Sequence, residues 1–270
     1  KMKDDILRAI ASVLADTKNE QYKVQITVTD NTHNVDGIKE ALATQFPMVK
    51  YFDNGGNIGF GAGNNVGFKA TPARYYFALN RDTIIPENTR VIGRMIEFMD
   101  AHPRVGAMGP KLLNMDDTVQ SSCYRFDLKS ILIKPLKQLQ WDKKYAWVRR
   151  TLKRLHMEDF DHNSTRPVDW VLGAALVVRH EVTQEIGWFD ERYLAYLEDC
   201  DWCHTMWEHG WPVYYVHDII IKHTHIRASA KVPGVWRALV RNKTARIHLN
   251  SWCKYLWKWR GNHKYYAPIA

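Results

Sequence analysis

Three carboxylates fall within four residues at Glu198, Asp199 and Asp201, among apolar and aromatic neighbours Tyr196, Leu197 and Trp202. Acids in such company are costly unless a cation or a transferred proton uses them. The plain alternative is an acidic first turn on a helix over 199–209, which the helix macrodipole favours. Another acid, Asp82, closes Asn80-Arg81-Asp82-Thr83 just after a predicted strand over 74–79. The carboxyl end of a buried strand is where an open α/β sheet places ligand groups, although an Asp there can also simply cap a turn. His223 and His225 follow a predicted strand over 219–222. Histidines one residue apart share a strand face, so they could point into one cavity or be two unrelated surface groups. The strand end faces the presumed site, which favours one functional His.

A loop capable of approaching a ligand precedes Asp82. Residues 54–67 hold six glycines and four asparagines in fourteen positions. Such a backbone turns sharply, and a helix starting near Gly61 would aim free N–H groups at an anionic or sugar group. An ordinary connecting loop has the same composition.

The surrounding pattern must position these groups. A helical stripe runs over 4–14, then a strand over 24–29, a helix over 35–46, a strand over 49–52, the strand 74–79, a helix over 86–101 and a strand over 105–109. This alternation marks a largely parallel sheet with crossover helices. The apolar run 171–178 reads as one buried strand, followed by a short helix over 181–186. Short strands are predicted over 212–216 and 219–222, and a basic helix over 232–258. Residues 127–166 are basic and Trp/Lys-rich, with one helix near 145–155. They read as an inserted segment near the site or as a plain surface excursion.

Composition narrows the class. The chain has 270 residues, 46% hydrophobic and 25% charged, enough for a sizeable core and unlike a disordered segment. No run reaches the length of a membrane span, and no secretory signal opens the chain. Four unevenly spaced cysteines, with a lone Cys200-x-x-Cys203, point to reduced thiols rather than a disulfide scaffold or zinc site. The net charge of +9 is uneven: residues 219–270 carry eleven Lys/Arg and no acid, whereas the rest carry 27 basic against 29 acidic side chains. An anionic partner is therefore expected at the tail. Trp236, Trp252, Trp257 and Trp259, interleaved with Arg and Lys, suit a membrane interface. Nucleic acid is the rival polyanion, which the acidic cluster would repel unless a metal intervened, and a helix packed on the main domain is the third reading.

The sequence resembles the family 2 glycosyltransferases of GT-A fold, in particular their bacterial rhamnosyltransferase-like branch. The matching stretches are Val28-Thr29-Asp30-Asn31, Asn57 to Gly67, Leu79 to Thr83, Gly173-Ala174-Ala175, Gly187 to Tyr193 and Glu198-Asp199-Cys200-Asp201, in the family's order. The resemblance implies an open, mixed, mostly parallel Rossmann-like sheet flanked by helices. The transferase domain would span 1–230, with a basic helical extension over 231–270. The family opens with an apolar strand, whereas this sequence begins in the helix that follows it.

The same resemblance implies roles. Asp30 would bond the nucleotide base; Asn57, Gly59, Asn64, Asn80 and Arg81 would line the donor pocket. Asp82, with His223 or His225, would hold Mg²⁺ or Mn²⁺. Asp199 would be the general base, Glu198 would position it or bond the acceptor, and Trp170, Gly173 and Asp201 would contact the acceptor. The implied reaction is inverting transfer of L-rhamnose from dTDP-rhamnose to a lipid-linked or polysaccharide acceptor in cell-envelope glycan synthesis. It would take place in the cytoplasm, at the inner face of the plasma membrane, with the tail on anionic lipid and no nucleic-acid partner. A catalytically inactive nucleotide-sugar binder or scaffold of the same fold is the alternative.

Overall fold

The computed structural model describes residues 2–126, 136–137, 140–155, 157, 160–224, 242–262 and 264–267. Strand and helix alternate from the start: α1 (Met2–Thr17), β1 (Thr27–Asp30), α2 (Ile38–Gln45), β2 (Lys50–Asp53), α3 (Phe60–Lys69), β3 (Tyr75–Leu79), β4 (Thr83–Ile84) and α4 (Val91–Ala101). There follow β5 (Ala107–Leu113), β6 (Val119–Gln120), β7 (Cys123–Tyr124), α5 (Trp141–Lys144), α6 (Ala146–Leu155), β8 (Arg166–Pro167), β9 (Trp170–Val171), β10 (Ala175–Arg179) and α7 (His180–Ile186). The chain ends through α8 (Glu198–Glu208), β11 (Val213–His223) and α9 (Lys243–Lys258).

The central sheet runs β3-β10-β5-β11-β4, with β6 on β5 and β8 on β11; β1 and β2 form a separate parallel pair. The sheet is mixed, but the expectation of mostly parallel pairing needs correction. Only β5 and β11 are parallel partners within it; β10 pairs antiparallel with both β3 and β5. The alternation does make β3 and β5 run the same way, but β10 returns from far along the chain and wedges between them. Alternation cannot reveal that, because the β3–β10 register joins residues about a hundred positions apart, such as Ala175 and Leu79.

Other boundaries shift for physical reasons. The apolar run 171–178 is two strands, not one. It breaks at 172–174, where Leu172 N–H donates to Ser122 O and Gly173 N–H to Asp199 Oδ2. Conversely, the two short strands predicted over 212–222 are one strand, β11, with a register shift between Val216 and Ile220. The last helix starts at Lys243 behind an N-cap, Asn242, whose side chain accepts from Thr244 N–H and Ala245 N–H. Residues 225–241, with His225 and Trp236, lie outside the described residues, as does much of 127–139.

Both faces of β10 are buried. Leu176 and Val178 join a core with Trp202, Cys203 and Met206 of α8, while Ala175 and Val177 join one with Met95 and Met99 of α4. A third, smaller core packs Ile10 of α1 on Ile38 and Leu42 of α2 and on Val49. Cys123, Cys200, Cys203 and Cys253 are all free thiols. Burial raises the Cys200 and Cys203 thiols above their ordinary range, which disfavours the thiolate that zinc or redox chemistry needs. Among the described residues, no helix is long and apolar enough to cross a membrane.

Helix α1 is integral to this core. Arg90, ahead of α4, is left-handed and offers no side-chain cap, so Asp16 reaches across from α1 and accepts from Val91 and Ile92 N–H, each at 2.9 Å. Asp16→Ala is expected to cost about 1–2 kcal/mol, the scale of a lost helix cap, and to lower Tm by roughly 2–8 °C in a thermal melt.

Candidate functional site

The site is assembled where β3, β4, β11 and the 172–174 break come together. At one end, β4 and β11 place Thr83 opposite His223, and Thr224 N–H donates to Asp82 O at 2.9 Å. This brings His223 Nε2 to 3.4 Å from Asp82 Oδ1. Burial would raise Asp82, but the hydrogen bond and positive charge of the facing imidazole in its doubly protonated form hold the carboxyl below its ordinary range.

The His223 tautomer follows from a chain of hydrogen bonds through the β5–β6 turn. The Asp116 carboxylate can only accept, so the Thr118 hydroxyl donates to it at 2.6 Å and accepts from Asn114 Nδ2 at 2.9 Å. Asn114 Oδ1 then takes Gln120 Nε2–H at 3.1 Å, which leaves Gln120 Oε1 to accept from His223 Nδ1 at 2.7 Å. In the neutral ring the Nε2 lone pair therefore faces the Asp82 carboxylate. Two electron-rich atoms so placed are bridged by a second imidazole proton or by a cation. A hard divalent cation that draws its other ligands from substrate phosphates needs only one or two protein groups, and this pair fits it. Among the described residues, no cluster of three or more His, Cys, Asp or Glu forms a complete cage.

The acidic helix joins the same place through the strand break. Asn80 N–H donates to Ala174 O at 2.9 Å, and the neighbouring Gly173 N–H donates to Asp199 Oδ2 at 2.8 Å. Two hydrogen bonds across Gly173-Ala174 thus connect Asp199 to the Asn80-Arg81-Asp82 turn. Arg81 and Asp82 line a shallow cleft with Asp5, Arg8 and Thr224.

Asp199 is buried, with its other oxygen held by Cys200 N–H at 2.8 Å; burial nevertheless raises its proton affinity. Glu198 is also buried, its Oε2 has no hydrogen-bond partner among the described residues, and burial followed by the Asp199 charge pushes it well above the carboxylate range. The backbone N–H groups favour the ionised form of Asp199, so within the pair Glu198 is the one to keep its proton.

The Gly/Asn loop packs against this helix. Gly59 has φ +105°, and a Cβ there would lie 2.7 Å from Leu194 O; one on Gly61 would lie 2.9 Å from Phe189 Cβ and 3.5 Å from Glu198 Cβ. The glycines thus let α3 close on the segment that carries the acids. Asn57 closes a turn onto Gly59 N–H and is exposed, while Asn64 bonds back to Phe60 O. The neighbouring Asn65 is the true clasp: buried, it accepts from Phe189 N–H and donates to Phe189 O. Asp30 accepts from Thr32 N–H and Oγ1–H, Asn34 N–H and Tyr51 Oη–H, and these bonds outweigh its burial to hold it below the carboxylate range.

Two residues expected from sequence to contact the acceptor have partners within the protein. Asp201 is 1% exposed and turned to α9, where Lys258 Nζ, Trp259 Nε1 and Tyr193 Oη–H bond it at 2.7, 2.8 and 3.2 Å. It anchors the last helix. Trp170 lies on the β7–β9 hairpin, stacked on Tyr124 with centroids 4.6 Å apart. Asn65 lies within the Gly/Asn stretch but is not distinguished there from its neighbours, and Gln120 and Tyr51 have no comparable signal: single polar residues in a hairpin and a strand look alike in sequence.

The fold is the GT-A architecture. Residues 2–154 match the profile of the family described as Glycosyl transferase family 2. The chain belongs to that family. It is 26% identical over 222 residues, 78% of its length and 70% of the other's, to N-acetylglucosaminyl-diphospho-decaprenol L-rhamnosyltransferase of Mycobacterium tuberculosis. Among solved structures it superposes on GalNAc-T7, crystallised with UDP, GalNAc and Mn²⁺, with TM-score 0.61 and 13% identity over 93% of this chain and 45% of that one. It also matches the mannosyltransferase PcManGT of Pyrobaculum calidifontis, in complex with GDP-Man and Mn²⁺, with TM-score 0.52, 13% identity, and 97% and 73% coverage. The chain thus spans less than half of the first of these structures.

Proposed function

We propose that this chain is a metal-dependent, inverting glycosyltransferase that moves L-rhamnose from dTDP-rhamnose to a lipid-linked acceptor in cell-envelope glycan synthesis. The observation that carries the reading is the joining of Asp82 and His223 to Glu198 and Asp199 through the Gly173-Ala174 break. The mycobacterial relative, named for rhamnosyl transfer to N-acetylglucosaminyl-diphospho-decaprenol, supports the sugar and the lipid-linked acceptor.

Asp82 and His223 would hold Mg²⁺ or Mn²⁺, which supplies charge neutralisation to the leaving nucleoside diphosphate. Asp30 and the Asn57–Asn64 loop would bind the donor's nucleoside and sugar, with Asn80 and Arg81 beside the diphosphate. Asp199, ionised and fixed by two backbone N–H groups, takes the acceptor hydroxyl proton as that oxygen attacks the anomeric carbon from the face opposite the leaving group. Glu198, protonated, donates a hydrogen bond from its unpartnered side to acceptor or sugar. The attack from one side inverts the anomeric centre.

Association with the inner membrane face is supported by the outer side of α9. There Trp257, 66% exposed, and Leu249, 41% exposed, are separated by two helical turns, and Arg260 lies 4.4 Å over the Trp257 ring. An indole beside a cation suits the headgroup layer.

The test is to incubate the protein with dTDP-rhamnose, Mn²⁺ and a GlcNAc-diphospho-polyprenol and to read the product's anomeric configuration by NMR. A rhamnoside of configuration opposite to the donor's is expected. Retention of configuration, or turnover only with another nucleotide-sugar, would contradict the mechanism or the donor respectively.

A further inference from the structure

Two bulky residues immediately before the acidic pair, Tyr196 and Leu197, both have φ +68°. Side chains with a Cβ disfavour this left-handed region, and such residues persist only where their surroundings hold them. The segment 192–197 is in fact gripped from two sides. On one side Phe60 N–H donates to Leu194 O at 3.3 Å, beside Gly59. On the other, Ser251 Oγ, buried to 1% exposure, donates to Ala195 O at 2.7 Å. Lys254 Nζ donates to Arg192 O at 2.5 Å, and the Tyr196 ring stacks on His248 with centroids 4.3 Å apart.

The same helix then continues along α8. Tyr255 Oη and His204 Nδ1 are 2.9 Å apart, Lys258 and Trp259 bond Asp201, and the Trp259 ring stacks on His204 at 3.6 Å. Contacts at 248, 251, 255, 258 and 259 recur every three or four residues, so one face of α9 spans both the loop and the helix that it feeds. Burial pulls His204 down to about 3, so it is a neutral aromatic slab in this stack.

We propose that α9 is a positioning element of the transfer site, with Ser251 its principal positioning residue. By holding the carbonyl of Ala195 and the ring of Tyr196, the helix keeps 196–197 left-handed. The chain therefore enters α8 with Asp199 against Gly173 N–H and Glu198 beside Gly61. The proposal rests on the reading that this pair acts in transfer. It gives the last helix a task in the reaction that is separate from any membrane contact.

The experiment compares wild type, Ser251→Ala, Lys254→Met and Asp199→Asn, using dTDP-rhamnose with the GlcNAc-diphospho-polyprenol as probe. Ser251→Ala is expected to lower kcat about tenfold with donor KM within about twofold, the pattern of a group that matters only to the transition state. Lys254→Met, at a partly exposed site, is expected to move kcat in the same direction by about threefold. Amide exchange in 192–199 should quicken in both. Unchanged kcat and exchange in both variants overturns the proposal, and so does a parallel worsening of kcat and donor KM, which marks general loosening. If Ser251→Ala does not fold, Lys254→Met decides by the same criteria. Full activity of Asp199→Asn beside an active wild type sinks the proposed base instead, which separates the two failures.

Discussion

Asp199→Asn is expected to slow sugar transfer by about a thousandfold while leaving donor affinity within about twofold, the range lost when a general base is removed from an otherwise intact site. The carboxylate is held at both oxygens by Gly173 and Cys200 N–H, so its position is set by backbone rather than by a mobile partner. An Asn in its place keeps one of these bonds and turns an amide N–H₂ toward the other donor. It also removes a buried charge. A carboxyl raised by burial costs the folded state stability as pH rises through its folded pKa, and the neutral amide escapes this loss. The two changes oppose each other, so the melting temperature near neutral pH should move little while turnover collapses. In the wild type the acidic limb of the kcat/KM profile should lie above the ordinary aspartate range, with activity falling as pH falls. Rate, donor binding and melting temperature measured on the same preparation decide the matter. Turnover within tenfold of wild type would move the base elsewhere, with Glu198 the next candidate.

Asp82→Ala carries the second large effect, on binding rather than on the chemical step. Removing this carboxylate takes away half of the protein's pair for a cation. Affinity for nucleoside diphosphate in Mn²⁺ is expected to fall by about a hundredfold, the upper end of what loss of a metal's protein support costs. Affinity measured in EDTA should be alike in variant and wild type. Calorimetric titration under both conditions checks this; an equal loss with and without Mn²⁺ would mean that Asp82 touches the nucleotide or shapes the turn instead.

The parts of the fold that were legible in the sequence are those written in local patterns. The β1–α2–β2 alternation, the Gly/Asn loop opening α3, the Asp after β3 and the acidic start of α8 each depend on residues within a turn or two. What stayed hidden depends on distant partners. Nothing near Asp201 says that Lys258 and Trp259 will claim it, so it reads as a third member of an acidic site rather than as an anchor. The apolar run 171–178 hides its break because Gly173 leaves the strand for a carboxylate 26 residues away. Gln120 is invisible for the same reason: its task is defined by His223, 103 residues on. Arg179, inside the buried strand β10, likewise looks misplaced until its guanidinium is seen bonding the carbonyls of Val105, Met99 and His102 at the end of α4.

The Asp82–His223 pair is proposed to hold a cation together with the donor diphosphate. The melting temperature of the wild-type protein with UDP, dTDP or GDP, each with Mn²⁺ and with EDTA, decides this. One nucleotide at about a hundred times its Kd should stabilise the fold by about 2.7 kcal/mol, a rise of roughly 5–10 °C, in Mn²⁺ alone. A rise of the same size in EDTA, or one that persists in Asp82→Ala, would contradict it.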